Sequence, residues 1–305
     1  MTILVAGSSG LVGSAIVNKL NILGHHVIGV SSKDLDLRDR ENTIISIEKI
    51  KPKVIIDAAA RVGGLNYNSS NPVDFLVDNL RIQNNLMEAA YKSEVEKFIF
   101  LGSSCIYPKN SLQPIKEEYL MTGKLESTNS AYALAKLSGI ELIKAYRHQY
   151  KKPWINIIPT SVYGPGDNFN LATSHVIPAL IKKFQNAVKN NLEEVILLGT
   201  GSPKREFIHS DDLADAILVC LAKYDSDDPI NIGTGFEISI NALANLVSSA
   251  TGFNGNIKWD RNWPDGTPRK LVDSTKINEL GWKPNISLES GLKSTINWYS
   301  ETLGT

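Results

Sequence analysis

The stretch VAGSSGLVGSAI, residues 5–16, decides how the rest of the chain is read. It sets Gly7, Gly10 and Gly13 in a G-x-x-G-x-x-G pattern directly after the β-rich run TILVA. The residues that follow carry helical apolar spacing and close on Gly24. A glycine turn between a strand and a helix lets the backbone bend sharply and approach a pyrophosphate, which then sits on the positive helix N-terminus. Glycines at this spacing also serve helix–strand packing, so the pattern has weight only inside a βαβ unit. That context is present, because HVIGV and VIID supply the next strands. The turn therefore points to dinucleotide contacts from Gly7, Ser9, Gly10, Leu11, Val12 and Gly13, to which Pro159, ending a later strand, is added.

Working outward, a long helical pattern spans roughly 74–93, KFIFLGSS reads as a strand with a serine-rich end, a helix runs from about Ser130 to Tyr150, and INIIPT is another strand. Strands alternating with helices of this length imply right-handed βαβ units, hence an α/β protein with a Rossmann-type doubly wound parallel sheet. The near-continuous apolar strands fit a sheet covered on both faces. After Thr160 the rhythm loosens into the loop VYGPGDNFNLATSH, too long for a plain connector. EVILLG, REFIHSDDLADAILVCLAKY and INIGTG then return to strand–helix–strand, and a tail from about 240 holds short helices and the loop DRNWPDGTPRKLVD. The expected division is a dinucleotide-binding domain over 1–165, with a returning segment near 207–235, and a smaller C-terminal α/β substrate domain over 166–305.

The bulk properties exclude several classes. Hydrophobic residues make 42% of the 305 and charged residues 21%, the balance of a globular protein with a sizeable core. Lysine plus arginine equals aspartate plus glutamate at 32 each, so no net field draws nucleic acid or an anionic membrane. No apolar run is long enough for a membrane helix, and MTILVAGSSG enters a strand without a charged leader. Cys105 and Cys220 match no metal-ligand spacing and are too few for a disulfide scaffold. The expected compartment is the cytoplasm.

The second strand ends in VSSKDLD, with Ser31, Ser32 and Lys33 where an NAD site usually has an acid for the ribose 2′-hydroxyl. Lys33 leans the reading towards NADP, although the same lysine would suit a solvated loop, and Asp36 is assigned to the adenine side. SAYALAKLSG sets Tyr132 and Lys136 four residues apart on one helix face. An ammonium beside a phenol favours phenolate and helps tyrosine pass a proton. Ser103, at a strand end, could hydrogen-bond the same carbonyl oxygen. Together they make a site for hydride delivery to a ketone, with the tyrosine proton going to oxygen.

Taken with GSSGLVGSAI, AAARVGGLNYN, LGSSCIYPK, YGPGDNF, SHVIPALIKKF, GTGSPKREFIHSDDLA, NIGTG and PDGTPRKLVD, these strings make the chain resemble an extended short-chain dehydrogenase/reductase, and more narrowly the GDP-L-fucose synthase family. The resemblance implies NADPH-dependent 3,5-epimerisation and 4-reduction of GDP-4-keto-6-deoxy-mannose, and a homodimer built on the helices near 74–93 and 130–150. It carries Cys105 and His175 into the acid–base roles that invert the carbons beside the ketone, and Lys183 and Arg205 into the GDP-diphosphate site. Asn79, Leu198, Arg269 and Asp273 are further substrate-side candidates. The chain departs from the pattern at Leu198, where an aromatic is frequent, and at Ser8, Ser9, Ser31 and Ser32, where basic residues are frequent. Other readings are a C4 reductase of another GDP-4-keto-6-deoxy sugar such as a heptose, an NAD-dependent nucleotide-sugar 4-epimerase, and a non-catalytic dinucleotide sensor. Cys220, on an apolar helix, reads as core.

Overall fold

A computed structural model describes residues 1–263 and 265–303; Pro264, within the stretch DRNWPDGTPRKLVD expected to be a loop, lies outside the described residues with 304 and 305, and that stretch also contains a short strand at Arg269–Lys270. In chain order, β1 (Thr2–Ala6) leads through α1 (Leu11–Ile22) to β2 (His26–Val30), and α2 (Arg40–Ile50) leads to β3 (Val54–Asp57). Helices α3 (Leu65–Ser70) and α4 (Pro72–Lys92) precede β4 (Lys97–Leu101), and α5 (Ser130–Tyr150) precedes β5 (Ile155–Pro159). Then come β6 (Ser161–Tyr163), α6 (Val176–Lys189), β7 (Glu194–Leu198), β8 (Lys204–His209), α7 (Ser210–Lys223) and β9 (Ile230–Ile232). The chain ends with β10 (Glu237–Ser239), α8 (Ile240–Thr251), β11 (Asn256–Asp260), β12 (Arg269–Lys270), α9 (Thr275–Glu279) and α10 (Leu288–Thr302).

Six of these strands form a parallel sheet in the order β2-β1-β3-β4-β5-β9. The apolar strands expected from the sequence are buried on both faces: Leu4, Ile55, Phe98 and Phe100 face one core, Ile3, Val5, Ile56 and Ile99 the other. The chain leaves β1 towards β2 and returns past it to β3, so the strand order reverses beside β1. A crevice opens there, at the carboxyl ends of the strands. A third core gathers Phe184, Leu243, Val247 and Leu292. It lies beside a smaller sheet in which β8 pairs with β6, β10 and β12, and beside a separate two-stranded sheet of β7 and β11. Among the described residues no helix is long and apolar enough to cross a membrane.

Two local features differ from expectation. The strand expected over KFIFLGSS stops at Leu101, and Ser104–Ile106 form a 3₁₀ turn. The cause is local: the Ser103 Oγ accepts from the Cys105 N–H at 3.4 Å, offering the backbone an alternative to the ladder. Helix α2 fills the polar stretch RENTIISIEKI, where no element stood out. Asp39 caps it, accepting from the Asn42 N–H at 3.1 Å, and Ile47 anchors it in the core. Helix α5 crosses β4 closely because residue 139 is glycine: a Cβ there would lie 2.3 Å from the Phe100 ring. That approach holds the face carrying Tyr132 and Lys136 against the carboxyl end of the sheet.

Candidate functional site

The glycine turn runs from β1 into α1. Gly7 sits at φ +77°, and its N–H and that of Ser8 both donate to the Val30 carbonyl, at 2.8 and 3.1 Å. A Cβ on Gly7 would lie 2.7 Å from the Ala58 carbonyl oxygen, so the backbone is bare where β1 and β3 part. Gly10 is the N-cap of α1 and has no side-chain cap, which leaves the helix N–H groups for a ligand. Gly7, Ser9, Gly10, Leu11 and Val12 line a cavity of about 1050 Å³, and the bare turn and uncapped helix fit a dinucleotide pyrophosphate. Gly13 does not line it: a Cβ there would lie 2.0 Å from the Gly7 carbonyl oxygen, so it serves the close packing of helix on turn.

At the end of β2, Ser31, Ser32, Asp36 and Arg38 line the same cavity, whereas Lys33 stands on an exposed turn off its wall. Arg38 grips Asp36 at 2.8 Å and reaches Asp78 at 3.4 Å. Arg38 thus brings a cation to this wall, five residues beyond the lysine that the sequence favoured. Asn79 is buried, but not against the cavity. Its amide oxygen accepts from the Arg61 N–H at 2.9 Å, and its amide nitrogen donates to the Arg61 and Phe75 carbonyls at 3.0 and 2.7 Å. It therefore braces the loop after β3 instead of facing a substrate. Arg61, which lines the cavity, is held by Asp78 and Asp74 at 2.8 and 3.0 Å.

Deeper in, Ser103, Cys105, Tyr132, Lys136, Pro159 and His175 converge on this one cavity. Tyr132 is buried, its ring edge-on to Phe75 at 6.3 Å. Burial, with Cys105 and Asp57 nearby, pushes its phenol far above the usual range, and a hydrogen bond with Ser103 pulls weakly the other way. The expected ammonium–phenol coupling is not what holds Lys136. Its Nζ donates to the Leu101 carbonyl at 2.9 Å and stands 4.6 Å over the Phe100 ring. Burial lowers Lys136, while the carboxylate of Asp57 acts against that lowering. Asp57 ends β3, is fully buried, and keeps one oxygen without a hydrogen-bond partner. Burial pushes it up to about 6.

Cys105 is half-buried in the 3₁₀ turn. Burial pushes its thiol up, and Lys270, Ser103, Lys136 and Asn129 pull it back, in that order. His175 is the N-cap of α6 and its carbonyl accepts from the Ala179 N–H at 3.1 Å. Its ring is flanked by protein yet open to the cavity, and the loss of water, with the charge of Lys270, lowers the imidazole. The thiol thus keeps its proton and the imidazole stays neutral, so the pair holds both the proton and the lone pair that an inversion needs.

Lys183, Leu198 and Arg205 line the far end of the cavity with Trp263 and Asp265. Lys183 donates to the Ile196 carbonyl at 3.1 Å, and burial lowers it. Burial also lowers Arg205, against the pull of Asp265. Asp265 accepts from the Thr200 N–H and hydroxyl at 3.0 and 2.5 Å. Trp263 brings an exposed indole to the wall that Leu198 shares. Neither Trp263 nor Asp265 stood out in sequence, because their loop has no periodic pattern. Two candidates fall elsewhere: Arg269 pairs with Glu237 at 2.6 Å, and Asp273 accepts from the Thr275 N–H at 2.9 Å to start α9. Neither lines the cavity.

The model of the NAD dependent epimerase/dehydratase family matches residues 3–233. The chain is 49% identical over 298 residues to GDP-L-fucose synthase 1 of Arabidopsis thaliana, covering 97% of this chain and 92% of that protein. It shares 32% identity and a TM-score of 0.93 with the crystal structure of a GDP-6-OMe-4-keto-L-xylo-heptose reductase from C. jejuni, covering 98% of this chain and 97% of that one. A GDP-L-fucose synthetase of Naegleria fowleri solved bound to NADP matches at TM-score 0.90 and 33% identity, over 100% of this chain and 94% of that one. Glycine turn, parallel sheet and full-length similarity lead to one conclusion: the chain belongs to the NAD dependent epimerase/dehydratase family, in its GDP-L-fucose synthase branch.

Proposed function

We propose that this protein converts GDP-4-keto-6-deoxy-mannose to GDP-L-fucose by 3,5-epimerisation followed by NADPH-dependent 4-reduction. The observation that carries the reading is the meeting of Cys105 and His175 with Ser103, Tyr132 and Lys136 in one cavity. A reductase needs the last three; the thiol and imidazole add the acid and base of a second reaction. The C4 carbonyl acidifies the hydrogens on C3 and C5, because each carbanion spreads onto oxygen as an enolate. One member of the Cys105–His175 pair removes the proton and the other returns one to the opposite face. Ser103 and Tyr132 hydrogen-bond the C4 oxygen, and in the reduction Tyr132 gives its proton to that oxygen. NADPH, when bound, supplies the hydride. In this reading Gly7–Val12, Pro159, Lys136 and Asp36 hold the dinucleotide and Arg38 takes the part first given to Lys33. Lys183, Leu198, Arg205, Trp263 and Asp265 hold the GDP end. Residues 1–165 with 207–235 form the cofactor domain, and 166–305 otherwise form the substrate domain.

The test is incubation with GDP-4-keto-6-deoxy-mannose and NADPH, with product stereochemistry read by NMR. The L-fuco product is expected. The likeness to the C. jejuni heptose reductase favours a second reading, C4 reduction alone. It would return a reduced sugar unaltered at C3 and C5. Unreacted ketone from folded protein would remove both.

A cytoplasmic homodimer belongs to the same proposal. Helices α4 and α5 pack side by side, and α5 exposes Leu134 and Tyr150. Light scattering should give twice the chain mass, and the protein should partition with the cytosol on cell fractionation. A monomer at micromolar concentration would remove the dimer without touching the activity.

A further inference from the structure

Lys270 has no part in the mechanism above, yet it stands where that mechanism makes charge. Strand β12 pairs with β8 in parallel register, which sets Lys270 beside Arg205. Successive residues of a strand alternate sides: Arg269 turns to Glu237, and Lys270 lines the cavity. Among the described residues its ammonium has no ion pair and no hydrogen bond. The carboxylate whose charge acts on it, Glu126, is already engaged by Lys109 at 3.4 Å and by Thr128 at its backbone N–H, 2.9 Å away. A half-buried ammonium without a counter-ion is costly, and a cavity wall is where that cost has a use.

We propose that Lys270 is the electrostatic partner of the Cys105–His175 pair, an unpaired ammonium on the cavity wall that stabilises the sulfur anion whenever the thiol gives up its proton. The inference rests on the assignment of Cys105 to proton transfer. It holds for either direction of that transfer, since the sulfur is an anion before the step or after it. The ammonium itself moves no proton; the proton passes between sulfur and the sugar carbon.

The groups that act on Cys105 by charge or hydrogen bond are Lys270 from β12, Lys136 and Tyr132 from α5, Ser103 from its own turn and Asn129 from the turn before α5, and all of them line the one cavity. Lys270 in turn shares the cavity wall with Cys105, Glu126 and, at the start of α6, His175, and lies in register beside Arg205. Its charge acts on or is acted on by each of them. It is first among the groups that oppose the burial of the thiol. Its loss should therefore move the thiol further up and let the imidazole rise.

The experiment is the pH profile of Cys105 alkylation by iodoacetamide in the full-length, substrate-free protein, with the labelled cysteine identified by mass spectrometry. Buried Cys220 serves as the unreactive internal control. Lys270→Met and Lys270→Gln should each shift the profile up by about one pH unit, slowing alkylation near neutrality roughly tenfold. Lys270→Arg, which keeps the charge, should hold the wild-type profile. Deuterium wash-in at C3 and C5 should slow in the neutral variants while KM for the sugar nucleotide changes little. An unmoved alkylation profile in both neutral variants overturns the proposal, and a raised KM alongside it would give Lys270 to the phosphates with Arg205. If instead the profile shifts but Cys105→Ala still exchanges deuterium, the pairing stands and the epimerase assignment of Cys105 fails.

Discussion

Tyr132→Phe is expected to slow 4-keto reduction by about 10²–10⁴-fold while leaving nucleotide binding intact. The substitution removes only the phenolic oxygen, so the ring keeps its edge-on contact with Phe75 and its place on α5. In the mechanism proposed above, what it removes is the proton donor. Burial and the neighbouring Cys105 and Asp57 push the phenol well above its ordinary range, so it carries its proton throughout any practical assay. The defect should therefore be flat with pH, unlike the loss of a group that titrates near neutrality. Single-turnover oxidation of NADPH measures it. Wild-type turnover in the variant would mean that another group protonates the C4 oxygen.

Cys105→Ala should lose C3 and C5 inversion by a factor of the same order, about 10²–10⁴, because one of the two proton-transfer groups of the proposed mechanism is gone. Cys105 is half-buried against the core around Ile106 and Tyr107, and alanine leaves a small gap there. Ser103, Tyr132 and Lys136 remain around the carbonyl, so the variant should still reduce a 4-keto sugar, with C3 and C5 unaltered. In deuterated water the wild type should take label at both carbons and the variant at neither. Exchange at the wild-type rate would make Cys105 a packing residue and leave reduction as the only chemistry.

Much of the cofactor half is legible in one dimension because its signals are local. The strand–glycine turn–helix unit, the apolar strands and the Tyr132–Lys136 spacing each fit within a few turns of chain. Contiguous residues therefore carry both the pattern and its geometry. Even so, the turn assigned Gly13 to the ligand, and packing spends it on the Gly7 carbonyl. Helix α2 went unread because its polar residues mask the few apolar anchors, and a cap at Asp39 is a weaker signal than periodicity.

The site's remaining members come together through contacts that no spacing encodes. Cys105, His175 and Lys270 are separated by 70 and 95 residues, and they meet because β12 adds to β8 and α6 begins at the rim of the crevice. Asn79 looks like a polar residue on offer to a ligand, but its amide is saturated by Arg61 and Phe75 backbone. Arg269 and Lys270 are adjacent cations that composition treats alike. The pleat of one two-residue strand sends the first to Glu237 and the second to the cavity. Local propensity thus specifies which elements form, while strand pairing across long loops selects which side chains share a cavity. That selection depends on packing energies summed over distant segments.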